Sequence, residues 1–209
     1  VLNKPSGLLV HRGWANDSVT ALSVARTVAG RYVYPIHRLD RSASGVLVFG
    51  LRSEIARVAQ AQLQAGQWQK EYVALVRGHT PESGRIDYPL APAKDKPKRD
   101  AVTDYQRIGT FERYSLLRVW PHTGRLHQIR RHLRHLSHPL IGDVRYGKAE
   151  HNRLFRQRFG LHRLCLHAVR LELPHPSDGR ALTLEAPLPA DLAEPLARMG
   201  LLPPSATSP

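Results

Sequence analysis

An aspartate where a polar turn meets a buried strand is placed to react, because its backbone is held while its carboxylate faces a cleft. His37-Arg38-Leu39-Asp40 is such a turn, directly before the apolar run Gly45-Val46-Leu47-Val48-Phe49. Beside a buried guanidinium the Asp40 carboxyl would titrate low and stay ionised, as a nucleophile or general base requires. The bland reading is a turn aspartate with Arg38 as its surface neighbour, and spacing alone favours it.

The segment after Thr123, read as a basic helix running to about Leu136, offers a candidate guanidinium. At about 100° per residue, Leu126, Ile129, Leu133 and Leu136 share one face. Arg131, Arg134 and His138 point away from it and are available to phosphates. Arg130 leans toward the apolar stripe, and a desolvated guanidinium needs an anion. A carboxylate such as Asp40 and a phosphate are the two candidates.

Charge concentrates in this part of the chain. From His122 to Arg163 ten Lys and Arg face two acids, Asp143 and Glu150, so this stretch carries +8 of the overall +14. A second basic segment, the loop Leu90–Asp100, holds Lys94, Lys96, Lys98 and Arg99. Basic helix plus basic loop is the footprint of a phosphate backbone. Trp14, Tyr146 and Phe155 lie near basic residues and offer either stacking faces for unpaired bases or core packing.

Five of the twelve histidines fall between His122 and His138, which raises a metal reading. Zinc motifs need Cys, His or acid at short fixed steps. His127 and His132 stand on different helix faces, and His135 and His138 have no acid near them. Polar histidines on an RNA-facing surface are the expected explanation, with no metal. The 17 carboxylates are scattered, without the acidic cluster a metal-dependent nuclease or phosphotransferase would need.

The elements that must position these groups are readable in outline. Ser18 is the expected cap of a helix carrying Val19, Leu22, Ala25 and Val28 and ending at Gly30. Ser53 is the expected cap of a second, with Ile55, Val58, Ala59 and Leu63, ending at Gly66. Strands are expected near Val1–Lys4, Gly45–Phe49, Lys70–Gly78, Ala101–Arg107 and Tyr114–Trp120. Tyr72, Ala74 and Val76 fall on one face of the third. Leu164–Leu173 and Arg180–Glu185 flank the hairpin signal Pro176-Ser177-Asp178-Gly179. Hairpin-paired strands beside a few helices give a mixed α/β or α+β class. A doubly wound nucleotide fold does not fit, since neither GxGxxG nor GxxxxGK[ST] is present.

A chain of 209 residues suits one domain, or one with a two-part core. Hydrophobic residues at 42% and charged ones at 23% exclude a disordered polymer. A pI near 10.7 favours polyanionic partners. Cys165 is the only cysteine, so no internal disulfide forms and a reducing, cytoplasmic setting is expected. The longest nearly apolar stretch, Gly45–Leu51, is too short to cross a bilayer. Val1–Pro5 reads as the middle of a strand, so the natural N-terminus is expected upstream. Residues 203–209 read as a frayed, disordered tail behind a domain spanning 1–202.

Taken in order, these blocks resemble the RluA-type pseudouridine synthases. The resemblance rests on Asn3-Lys4-Pro5-Ser6-Gly7, on His37–Asp40 with Ser44-Gly45, and on Lys70-Glu71-Tyr72. It continues through Thr123-Gly124-Arg125-Leu126-His127-Gln128-Ile129-Arg130 and His138-Pro139-Leu140-Ile141-Gly142-Asp143, and closes on Leu166-His167-Ala168 and Ala186-Pro187. Val10-His11-Arg12-Gly13-Trp14, Arg130-Arg131-His132-Leu133 and Phe159–Leu164 look most like the C type, which acts on tRNA.

The resemblance implies a single catalytic domain with a bent, mostly antiparallel sheet flanked by helices and a central RNA-binding cleft. It implies isomerisation of one tRNA uridine, the T-stem U65 in tRNA numbering, to pseudouridine with base flipping. A 23S ribosomal RNA substrate and an inactive RNA-binding module are the alternatives. Asp40 would be the catalytic aspartate and Arg130 its partner. Tyr72 would stack on the flipped base and assist proton removal, and Arg38 would fill the gap the base leaves. Ile129 and Leu166 would line the pocket. Arg41, Lys94, Lys96, Lys98, Arg125, His127, Arg131 and Arg134 would join Arg38 in contacting RNA. No cofactor is implied, and a monomer is expected. Ala43 stands where the family has Thr, losing a hydroxyl but keeping the turn. No appended RNA-binding domain is expected before the catalytic part, beyond a small upstream element, which would fit a compact tRNA.

Overall fold

Where the chain leaves one strand for the next decides what it can hold at the break. The structure, a computed structural model, describes residues 1–12, 17–93 and 95–202. Trp14, Lys94 and the tail 203–209 therefore lie outside the described residues. The chain divides into two compact units, Val1–Lys70 with Ala168–Pro187, and Glu71–His167 with the residues from Leu188 onward.

The first unit opens with β1 (Leu2–Lys4), α1 (Ala21–Ala29), β2 (Tyr34–Pro35), β3 (Ser44–Leu47), β4 (Phe49–Gly50) and α2 (Ser53–Gln64). Ser18 does not cap α1. Thr20 does, in a reciprocal box: its Oγ1 accepts the Ser23 N–H at 3.1 Å while Ser23 Oγ accepts the Thr20 N–H at 2.9 Å. Gly30, at φ 62°, ends the helix as expected. Val19 and Val28 stay exposed, and Ala21 is the buried residue of α1. Ser53 sits inside the first turn of α2, which has no side-chain cap at all; its hydroxyl goes to Glu54 instead.

The apolar run 45–49 is broken at Val48. β3 pairs antiparallel with β1, Lys4 opposite Gly45, whereas β4 pairs with β2 in a separate two-stranded ribbon. Val46, Ala59, Trp68 and Leu171 lie together in this unit's core.

The second unit continues with β5 (Gln69–Arg77), β6 (Ser83–Asp87), β7 (Val102–Phe111), β8 (Tyr114–Pro121), α3 (Gln128–His135) and α4 (Ala149–Phe159). Its strands are ordered β5-β8-β7-β6, each neighbouring pair antiparallel. The helix expected from Thr123 begins only at Gln128, and residues 123–127 form a turn before it. Leu126 consequently stays exposed, leaving Ile129 and Leu133 as the buried apolar residues of α3.

β9 (Leu166–Pro174) and β10 (Ala181–Glu185) then form the expected antiparallel hairpin, which turns through Gly179 at φ 73°. α5 (Ala190–Arg198) follows. The result is the expected α+β class: antiparallel sheet with, among the described residues, five helices. β6, α4 and α5 had no counterpart in the sequence reading. Among the described residues no helix is long and apolar enough to cross a membrane.

Gly45 is required by close approach as well as by its φ of 115°: a Cβ there would stand 2.2 Å from the Ala168 carbonyl oxygen. Gly45→Ala should destabilise the chain by more than about 3 kcal/mol. Gly124→Ala, where a Cβ meets open space, should stay within about 0.5 kcal/mol. Denaturant unfolding of the two variants checks the contrast.

Candidate active site

In the first unit the acid at position 40 sits on a turn clamped from several directions. The Ala43 N–H donates to the Asp40 carbonyl at 3.1 Å, closing the turn; Ala43 is itself buried, so the missing threonine hydroxyl leaves the turn intact. Lys4 is fully buried, and its ammonium donates to the carbonyls of Pro5, Leu8 and Arg41 at 2.8, 2.8 and 3.2 Å. Ser6 Oγ donates to the Ser42 carbonyl and the Gly7 N–H to the Arg41 carbonyl, each at 2.8 Å. Leu39 and Ser44 are buried on either side while Asp40 remains half-buried and Arg38 exposed. A fixed backbone with a partly open carboxylate is the arrangement a reacting acid needs.

His37 holds the start of that turn. Its Nε2 accepts the Val48 N–H at 3.1 Å, the group freed by the strand break, and its ring meets Trp68 edge to face at 5.7 Å. Burial, aided by the charge of Lys70, pushes the imidazole down to about 4, so it is a neutral acceptor at physiological pH.

In the second unit Arg130 does find a buried carboxylate, and within that unit it is Asp143. Nε reaches Oδ2 at 2.7 Å and one Nη reaches Oδ1 at 2.9 Å, with both residues almost fully buried. Asp143 Oδ1 also accepts the backbone N–H groups of Arg145 and Tyr146, each at 2.9 Å. Burial alone would raise this carboxyl, but the Arg130 hydrogen bonds and charge with the two backbone donors hold it below the ordinary range. In the sequence Asp143 stands out as a local acid and as the end of the His138–Asp143 block, with no sign of its partner 13 residues away.

α3 starts at His127 in a left-handed conformation, φ 53°, with no side-chain cap. Buried Gln128 supplies what a cap would. Its Oε1 accepts from Thr123 Oγ1 at 2.6 Å and the Arg125 N–H at 2.9 Å, and its Nε2 donates to the Val102 carbonyl and Thr103 Oγ1. Tyr146 completes the group, with its hydroxyl 3.0 Å from His127 Nδ1 and its ring 5.1 Å from the Arg130 guanidinium carbon. The sequence alone gives Gln128 no role and leaves Tyr146 open between stacking and core packing.

The remaining candidates divide by exposure. Tyr72 is half-buried at the start of the face that Ala74 and Val76 continue, opposite Val119. Ile129 and Leu166 are buried. Arg38, Lys96, Lys98 and Arg134 are exposed. Arg41 is paired with Asp17 at 2.8 Å, Arg125 donates to the Asp100 carbonyl, and Arg131 donates to the Ala91 carbonyl, anchoring the basic loop. Lys94 lies outside the described residues.

One expectation is corrected, for His132, and one pair of alternatives is decided, for Phe155. His132 is fully buried between Thr103 Oγ1 and the Tyr88 carbonyl, and its pKa is lowered first by burial, so it is a core histidine and not an RNA-facing one. Phe155 is fully buried against Tyr114 at 4.5 Å and offers no stacking face. Among the described residues no three His, Cys, Asp or Glu group as a metal site would.

Residues 1–135 match the family model described as RNA pseudouridylate synthase. A tRNA pseudouridine synthase C of Pasteurella multocida is 44% identical, over 88% of this chain and 85% of its own. One of the same name from Yersinia pestis is 43% identical, over 88% and 81%. The solved structure of human RNA pseudouridylate synthase domain containing 4 matches with a TM-score of 0.78 at 25% identity, over 95% of this chain and 88% of that one.

Two measurements test the local physics. Arg130→Leu strands a buried carboxylate and should cost about 3–5 kcal/mol, against less than about 0.5 for exposed Arg134→Ala; equal effects in denaturant unfolding would refute the buried pairing. Below pH 6.5 the unfolded chain takes up a proton that folded His37 refuses until about pH 4, so stability falls as pH falls across that window. His37→Gln should make the Tm profile shallower there by calorimetry, and an unchanged profile would assign the acid sensitivity to other groups.

Proposed function

The chain belongs to the RNA pseudouridylate synthase family and is a pseudouridine synthase, an isomerase; on that premise we propose that its substrate is tRNA and that Asp40 is its catalytic carboxylate. The observation that carries the substrate is the 44% identity to a protein named tRNA pseudouridine synthase C, over 85% of that protein. The uridine assigned is the T-stem U65.

The reaction conserves atoms and electrons. The bond from N1 of uracil to C1′ of ribose breaks, the base turns, and C5 bonds to C1′ while C5 loses a proton and N1 gains one. Attack on the base, attack on the sugar and abstraction of a proton all require an ionised carboxylate. Arg130 is the arginine this reading assigns to the reaction, its guanidinium held in place by two hydrogen bonds to Asp143. Tyr72, half-buried on β5, is the aromatic this reading assigns to stack on a displaced base.

Flipping the nucleotide costs roughly a few kcal/mol. Phosphate contacts from exposed Arg38, Lys96, Lys98 and Arg134 can offset it. Ile129 and Leu166 supply apolar surface for the pocket.

Asp40→Asn removes the anion and little else. It should lower pseudouridine formation in an unmodified tRNA transcript at least about a thousandfold, with RNA affinity within a few fold. Mapping by chemical reverse-transcription stops, without added ATP or metal, reads the product. Retained turnover would reject the role of Asp40, and product in 23S transcripts alone would move the substrate to ribosomal RNA.

A further inference from the structure

The second unit carries an open pocket of about 340 Å³ whose wall is formed in part by Arg77, Arg134, Arg145, Lys148, Tyr146 and Ser137. No acid lines it. Elsewhere the arginines of this chain commonly stand within 4 Å of a carboxylate, as Arg41, Arg158, Arg163 and Arg198 do. Arg77, Arg134, Arg145 and Lys148 make no ion pair among the described residues. Four cations around an open concavity repel one another and sum to a positive field, an arrangement relieved when an anion enters.

The backbone agrees with a site. Ser137 closes α3 in a left-handed conformation at φ 63°, a position where glycine is the common and cheaper residue. A serine there places a side chain in the pocket wall. The C-terminal dipole of α3 is worth only about half a charge, far less than the four cations. Arg134 and Arg145 lie 6.0 and 5.4 Å from the Tyr146 ring, whose other neighbour is Arg130 at 5.1 Å.

The geometry points to this pocket as the seat of one backbone phosphate and its ribose from the RNA strand. The inference rests on the RNA-substrate reading above. The volume, near the lower end for small-molecule sites, exceeds what a bare phosphate needs and suits a nucleotide unit. With Tyr146 as shared wall, a phosphate held here stands one ring away from Arg130. The pocket thereby sets the register of the strand against the guanidinium.

The test compares two double variants with equal charge loss. R145Q/K148Q removes two exposed cations of the pocket, and R153Q/R156Q removes two exposed ones on α4 outside it. For the first, the slope of log affinity for tRNA transcript against log salt should flatten by roughly 0.7, the share of one phosphate, and KM near 0.15 M salt should rise several-fold, with a much smaller change in kcat. The second should keep the wild-type slope, and matching thermal midpoints show that both fold. Equal behaviour of the two variants would overturn the pocket and leave only a general positive field. A wild type that makes no pseudouridine in any transcript would instead defeat the RNA-substrate reading itself. Inorganic phosphate at constant ionic strength separates the anion's source. Competition by low-millimolar phosphate in the wild type, with an unaltered RNA slope in R145Q/K148Q, would assign the pocket to a free anion and overturn the proposal.

Discussion

A guanidinium almost without solvent exposure and a carboxylate in the same state are each unstable alone, so Arg130 and Asp143 must be placed together or not at all. Their fork-to-fork contact, 2.7 and 2.9 Å, fixes the rotation of the guanidinium plane as well as its position. The same carboxylate oxygen takes the N–H groups of Arg145 and Tyr146, so the turn after Asp143 folds around the anion. Tyr146 is carried against Arg130 by that turn, and Arg145 toward the basic pocket. One ion pair thus orients a buried arginine, an aromatic ring and a member of a cation cluster.

The first unit solves the corresponding problem differently. Its turn at Asp40 is fixed by a neutral imidazole, a buried lysine that donates to three carbonyls, and a glycine that lets β3 lie against the backbone at Ala168. Protonated His37 would lose its acceptor and place a second cation beside Lys70. Its low pKa is therefore part of how the turn stays fixed at neutral pH.

The strands and the class of the fold were legible because alternation and hairpin chemistry are local. The β9–β10 turn and the glycine end of α1 needed no tertiary information. Helix starts were less so: Ser18 and Ser53 are good caps in isolation, but Thr20 holds the reciprocal partner, and α2 begins uncapped. α3 was misplaced because its N-terminus is secured by the distant contacts of Gln128 with β7. α4 did leave a trace, since His151, Phe155 and Phe159 recur every four residues and are buried. The surrounding arginines masked that stripe and left stacking and core packing both open for Phe155. At the site, Asp40 and Tyr72 stood out through the resemblance, whereas Arg130's need for an anion followed from helix geometry even with the helix start misjudged. Asp143 was unreadable as its partner, because the turn that brings the two together is defined only by the pairing itself.

Net charge overstates how many cations are available to a polyanion. In the stretch from His122 to Arg163, Arg130 and Arg158 sit on carboxylates, Arg163 reaches Asp191, and Arg125 and Arg131 are committed to backbone carbonyls. Each of these holds a turn or loop in place, and a phosphate would have to displace that contact. Arg134, Arg145 and Lys148, together with Arg77 from β5, face a common concavity without such a commitment among the described residues. Because salt dependence counts neutralised phosphates and not basic residues, the slope for this chain should be modest beside its +14. The same division explains why half of a conspicuously basic segment can be structural: the arginines that shape the surface are paired, and those left on it set where an RNA backbone can rest.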